Sequence, residues 1–316
     1  MTMKKRYHFL IAAAILLIGI IVGSIGELDL QINKAIFDRD NVFGIIVSSF
    51  GMMPGYAFLA FAGGVTLHTG IKKKEWNIWG RIALFAFSLA GYCLSVYALG
   101  KDVFSINGFY KLQNLYYLGF AIMAVLMAPM VFLGYLFDKK THNPRAWLVA
   151  VIFAGVVFFA IVGGVSLLKI IFHRPRFRIV VHDGIIAFHN WWEPCFNYKD
   201  FINEAAGITS SEFKSFPSGH AGAGMITAIF LSFLTINDKR LSKLNPLPFY
   251  IGFTWCLVVM YVRMRVGAHY LTDVCFGALL TLIFLYIGNE FVLRFAVPKE
   301  ETPQVEEKPS EEMKVE

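Results

Sequence analysis

Eight stretches of this chain are long and apolar enough to cross the hydrocarbon core of a bilayer, which takes about 20 residues: 8–26, 45–70, 82–100, 116–136, 147–168, 220–236, 247–262 and 271–292. A segment in lipid must satisfy its own backbone N–H and C=O groups, so runs of this length form helices. They leave little polar surface, since 57% of the 316 residues are hydrophobic and 16% are charged. A water-soluble globular domain is excluded on that balance. The expected fold is all-α, a polytopic membrane helix bundle of about eight transmembrane helices. The second stretch carries Pro54, Gly55 and His68 and is long enough to tilt or break.

Orientation follows from Lys and Arg in short loops, which collect on the cytoplasmic side. Lys4, Lys5 and Arg6 precede the first stretch. With eight crossings, Lys72, Lys73, Lys74 and Arg81, then Lys139, Lys140 and Arg145, then Lys239, Arg240 and Lys243 fall on that same side. A six- or seven-span count places at least one of these clusters outside. Both termini are therefore expected in the cytoplasm of a multi-pass cell-membrane protein. No A-x-A-like site precedes Glu27, and the first stretch reads as a retained anchor. Three of the four cysteines, Cys93, Cys256 and Cys275, lie in apolar stretches and only Cys195 in an outer segment, so no disulfide framework is expected.

Charged groups beside a bilayer are costly and usually face a cavity. Here they gather in three places, all on the outer side by the same count: KIIFHRPRFR (169–178), KSFPSGHAGAG (214–224) and VRMRVGAHYLTD (262–273). Lys169, Arg174, Arg176, Arg178, Arg263 and Arg265 stand against one carboxylate, Asp273. Such a set suits a phosphate group, which arginine's planar fork grips through two oxygens. Ser218 is a favoured N-cap, Gly219 admits close approach, and the unpaired N–H groups of a helix start attract anions. His269 and Asp273 are spaced to share one helix face, where the carboxylate holds one ring nitrogen protonated and leaves the other as nucleophile. His220, from another helix, supplies a proton to the leaving oxygen. Nucleophile, orienting group, acid and cations make a full set for phosphoryl transfer without metal. No Cys/His spacing suggests a metal, no cofactor is expected, and no nucleic-acid partner is expected.

The three clusters resemble the signature of the type 2 phosphatidic acid phosphatase (PAP2) family. Its pattern is Lys, six residues, Arg-Pro; then Pro-Ser-Gly-His; then Ser-Arg, five residues, His, three residues, Asp. Lys169 and Arg176, Pro217-Ser218-Gly219-His220, and Arg263, His269 and Asp273 keep the order and spacing. Phe177 stands where the pattern has proline, and Val262 where it has serine. The resemblance implies a six-helix core toward the C-terminus, with 146–297 as the catalytic membrane region. It leaves 1–145 as membrane helices of unknown role and 298–316 as a disordered acidic cytoplasmic tail. It also implies roles: His269 attacks phosphorus, Asp273 orients it, and His220 protonates the leaving group and later activates water. Lys169, Arg176, Ser218, Gly219 and Arg263 hold the phosphate oxygens.

The implied activity is hydrolysis of a lipid phosphate or diphosphate at the outer leaflet through a phosphohistidine. A lipid phosphotransferase using the same intermediate is the alternative, and an anion transporter is a more distant one because the charges gather at one mouth only. Arg174, Arg178 and Arg265, outside the matched positions, are expected to meet lipid headgroups, and His173, His182 and His189 have no assigned role. The segment from Phe177 to Phe216, with its FHNWWEPCFNY run, is expected either to border the lipid entrance or to anchor at the interface.

Overall fold

In a computed structural model, the described residues are 6–141, 143–181, 186–204, 207–238 and 240–296. Lys4, Lys5, Lys239, His182 and the tail 298–316 lie outside them. Apart from one isolated bridge between Asn203 and Ile208, the regular structure of the described residues is helical. The helices are α1 (Tyr7–Gly23), α2 (Leu28–Ile36), α3 (Val42–Phe50), α4 (Met53–Lys72), α5 (Ile78–Val103), α6 (Tyr116–Lys140) and α7 (Ala146–Phe158). They continue with α8 (Leu167–Phe172), α9 (Phe177–Val180), α10 (Gly219–Asn237), α11 (Leu247–Arg265) and α12 (Leu271–Phe295). Seven helical segments among the described residues are long and apolar enough to span a membrane, and the count is eight if a bent pair is one span. The chain is a polytopic helix bundle.

The bent pair is the first expected span. It does not run through to residue 26: α1 ends at Gly23, Gly26 takes a left-handed φ of +53°, and α2 leaves at 100° to α1. Polar side chains explain the elbow, because α2 buries Asp29 and Asn33 beside Leu30. The second expected span breaks between α3 and α4, with Pro54 in the first turn of α4, where its missing N–H costs nothing. In the last turn of α3 Val47 O keeps a helical donor, Gly51 N at 2.7 Å, while the Ser48 carbonyl is left for a side chain. A third irregularity lies between α7 and α8, where Phe159–Ser166 winds as a π-helix. Such wide turns are uncommon and concentrate at functional sites.

Helix α10 is central, packed on α4, α11 and α12. Helices in lipid gain little from hydrophobic transfer and associate by close packing of small residues, which the AFAGGV (60–65) and AGAGM (221–225) runs supply. Gly64 shows the reason: a Cβ there would lie 1.9 Å from the Val131 carbonyl oxygen of α6.

Candidate active site

Ser218 caps α10, its hydroxyl accepting from Ala221 N at 3.3 Å, and its own N–H donates to the Asp273 carbonyl at 2.9 Å. The start of α10 is thereby tied to the start of α12. Between α11 and α12 the chain makes a tight turn through Gly267, at φ +68°, and the N–H groups of Ala268 and His269 both donate to Arg263 O. The turn places His269, 1% exposed, over the mouth of α10.

His269 Nδ1 lies 2.7 Å from the Ser215 carbonyl oxygen. A carbonyl only accepts, so Nδ1 carries the proton and Nε2 keeps its lone pair. Nε2 is 3.5 Å from Arg176 Nη1. Asp273 was expected to hold the ring directly, but its Oδ2 is 3.8 Å from Nδ1. That oxygen instead accepts from the Ser215 hydroxyl and from Tyr270 N, the latter at 2.9 Å. Asp273 therefore acts on the histidine mainly through Ser215. Burial, then the nearby cations Arg176, Lys169 and Arg263, hold the His269 ring well below the ordinary imidazole range.

His220 Nε2 lies 3.2 Å from the carbonyl of Ser48, one of the unpaired carbonyls of α3. By the same logic Nε2 holds the proton, and Nδ1 is left to exchange one. His220 and His269 line one cavity of about 240 Å³, with Lys169, Arg176 and Gly219. Lys169 Nζ donates to Lys214 O at 2.8 Å. Arg176 donates through Nη1 to Ala268 O at 2.9 Å and through Nε to Ser211 O at 3.2 Å. Four cations, Lys101, Lys169, Arg176 and Lys214, face this cavity with one carboxylate, Asp102. A phosphate-sized anion matches both its volume and its charge.

Arg263 stands behind the wall of this cavity rather than in its lining. It is fully buried, with Nη1 donating to Asn107 O at 2.9 Å and Nη2 to Asn107 Oδ1 at 3.4 Å, so it braces the loop after α5. Asn107, with Lys101 and Asp102, forms the cavity wall in front of it. These three residues had no assigned role, although the span count places the GKDVFSING stretch on the same outer face. Ser215 was also missed; nothing in its spacing marks it.

Two arginines expected at headgroups are buried structural cations. Arg174, 1% exposed, donates to Asp273 Oδ1 at 2.6 Å, Asp29 Oδ2 at 2.9 Å and His189 O at 2.8 Å, and stacks 4.1 Å over the Tyr270 ring. Arg178 makes a bidentate pair with Glu212 at 2.6 and 2.8 Å. Burial alone would raise the Glu212 carboxyl; the Arg178 cation outweighs it and holds the group below its usual value. Arg265 pairs with Asp38 at 3.0 Å. The departures from the signature have packing explanations. Phe177 stands edge-on to Phe37 and Tyr270, with centroids 5.1 and 5.9 Å away, and Val262 packs with Val47 and Val259. In the outer segment, Trp191 packs against Phe216 and Phe276 and donates to Ser24, while Trp192 is exposed.

Residues 145–295 match the family model described as PAP2 superfamily. That match takes in all three charged clusters. Comparisons with curated proteins and with solved structures give no match. The PAP2 region holds both histidines, Asp273, Lys169 and Arg176; Asp29, Ser48, Lys101, Asp102 and Asn107 come from the chain before it.

Gly219 offers a test of the phosphate cradle. A Cβ there would meet only Val165 Cγ1, at an ordinary 3.6 Å, so the protein tolerates alanine. Gly219→Ala is expected to leave the melting temperature within about 1 °C while raising KM or lowering kcat about tenfold or more, by intruding on a bound anion. Steady-state kinetics beside a thermal melt of the purified variant separates the two effects.

Proposed function

We propose that this protein is a membrane phosphatase that hydrolyses a lipid phosphate or diphosphate through a phosphohistidine on His269. A membrane phosphatase fits the PAP2 domain and the apolar helices. The observation that carries the finer reading is the bare Nε2 of His269, fixed by the Ser215 carbonyl and set beside Arg176 in a cavity shared with His220. A second observation supports a lipid substrate. An apolar groove of about 630 Å³ runs between α5 and the α7–π segment and shares Tyr56, Ala98, Lys101, Ile161 and Ser166 with the polar cavity. Its lining includes the exposed Leu94, Phe158 and Val162, so it opens toward lipid. An acyl or prenyl chain in this groove places its phosphate among the cations.

In the first step His220 enters as the imidazolium, with Nε2–H on the Ser48 carbonyl and a second proton on Nδ1. His269 Nε2 attacks phosphorus, the N–P bond forms, the bond to the lipid oxygen breaks, and His220 Nδ1 delivers its proton to that oxygen. The phosphorylated ring, still protonated at Nδ1, is a cation, and Asp273 at 3.8 Å with the Ser215 carbonyl stabilises it. In the second step water gives a proton to His220 and its oxygen to phosphorus, the N–P bond breaks, and orthophosphate leaves with His269 neutral again. Lys169 and Arg176 hold the non-bridging oxygens throughout. By the sequence topology this chemistry occurs at the outer leaflet of the cell membrane, with both termini inside.

The test is orthophosphate release by the purified full chain from a panel of lipid phosphates and diphosphates, with EDTA present. Release that survives the chelator is expected; transfer of the phosphate to an added alcohol with no free orthophosphate would replace hydrolysis by phosphotransfer. The pH profile follows from the depressed His269. Neutral Nε2 is the reactive form, and it persists below the ordinary imidazole value of about 6.5. The acid limb of kcat/KM due to His269 is therefore expected below that pH, and a limb at or above it would contradict a buried neutral nucleophile.

A further inference from the structure

The N-terminal elbow is the unexplained feature of the fold. It breaks an otherwise apolar span, and it buries two polar side chains, Asp29 and Asn33, at 1% and 0% exposure. Polar groups buried this deeply are retained only with partners. Here the principal partners belong to one segment, the turn that carries His269. As the chain runs forward from Asp29 to Asp38, the contacts run backward along the turn. Asp29 Oδ1 accepts from Thr272 N at 3.1 Å, and its Oδ2 accepts from the Thr272 hydroxyl. Asn33 Nδ2 donates to the carbonyl of His269 itself at 2.7 Å. The Phe37 ring lies against Gly267, where an added Cβ would be 2.5 Å from it. The Asp38 N–H donates to Arg265 O at 2.7 Å, and its carboxylate pairs with the Arg265 side chain.

The geometry points to a positioning role: Asn33 and Asp29 form a brace, outside the PAP2 region, that sets the register of the turn presenting Nε2 to phosphorus. This rests on the phosphatase reading of the same site. Up to Ala268 the turn is held by its own bonds and by Arg176 and Arg178, while the N–H of His269 shares one acceptor, Arg263 O, with that of Ala268. On the other side only the Ser215 carbonyl meets the ring nitrogen Nδ1. Without Asn33, the His269 carbonyl loses its hydrogen-bond donor. Asp29 also meets Arg174, at 2.9 Å, and Arg174 meets Asp273, so the brace reaches the carboxylate that holds Ser215. A nucleophile displaced by about 1 Å loses on the order of 100-fold in rate while substrate binding, which uses other residues, is kept.

The test uses the full chain, purified, as Asn33→Ala and Asp29→Asn, with dioctanoyl phosphatidic acid as substrate and hydrogen–deuterium exchange on the peptide covering 266–273. Expected is a kcat lowered about 10- to 100-fold with KM within about threefold, and exchange in that peptide at least about tenfold faster than in the parent. Asn33→Ala removes no charge and is the variant that keeps its fold if Asp29→Asn does not. The brace is refuted if Asn33→Ala keeps kcat within twofold. It is equally refuted if the loss disappears when activity is normalised to folded protein, as a purely structural role requires. A parent protein that releases no phosphate from any lipid phosphate overturns the proposed function instead, and the exchange at 266–273 then decides the brace alone: unchanged rates refute it, faster rates support it.

Discussion

His269→Ala is expected to abolish orthophosphate release, with kcat at least about 10⁴-fold below the parent, the scale seen when a covalent nucleophile is removed. That is about 5 kcal/mol or more of transition-state stabilisation. The other groups in the cavity cannot substitute. His220 keeps Nε2 on the Ser48 carbonyl, and its Nδ1 is taken up by the two proton transfers, so it does not stand in as a nucleophile. Substrate affinity is expected to change little, because Lys169, Arg176, Lys214 and the start of α10 remain. A phosphate analogue such as vanadate is therefore expected to bind the variant within about tenfold of the parent, with the loss confined to the chemical step. The decisive measurement is enzyme incubated with ³²P-labelled substrate and quenched in SDS at alkaline pH. The parent carries an acid-labile, alkali-stable label and His269→Ala carries none. A labelled His269→Ala protein would place the covalent intermediate elsewhere and end the mechanism proposed above.

The bundle and the two histidines were legible because they depend on local chemistry. Apolar runs must be helices in lipid, and Pro-Ser-Gly-His states its own helix start through a cap and a bare backbone. What failed to show were the contacts made across long gaps in sequence. Arg174 and Arg178 looked like any basic residues at a membrane boundary, since a headgroup contact and a buried pair differ only in where Asp29 and Glu212 come to rest. The motif assigns Arg263 to phosphate because its spacing is right, yet the fold turns it to Asn107, on a loop 156 residues away. Asp29 is the clearest case. One acidic residue after an apolar run reads as the end of a span, and nothing local shows that the chain bends by 100° to carry it beneath the turn that holds His269. Interruptions were the usable signal: Gly26, Gly51 and Gly163-Gly164 each mark a place where a regular helix gives way, and all three lie next to elements of the site.

Arg174→Ala is expected to be the most damaging substitution for folding. The guanidinium sits between Asp29 and Asp273, both at most 1% exposed, with Thr272 and the His189 carbonyl completing its donors. Its removal leaves two buried carboxylates facing each other, away from bulk solvent. Breaking a buried pair in this way costs about 3–5 kcal/mol, because the penalty is the uncompensated charge left behind rather than the attraction lost. That logic gives a second arm. In Arg174→Met combined with Asp29→Asn, one of the two orphaned charges is gone and an apolar chain of similar length fills the space. This double variant is expected to recover at least about 1–2 kcal/mol over Arg174→Ala. Denaturant or thermal unfolding of the three proteins in one detergent measures it. A double variant no more stable than Arg174→Ala would mean that the arginine stabilises the fold by packing on Tyr270 and not by separating the carboxylates.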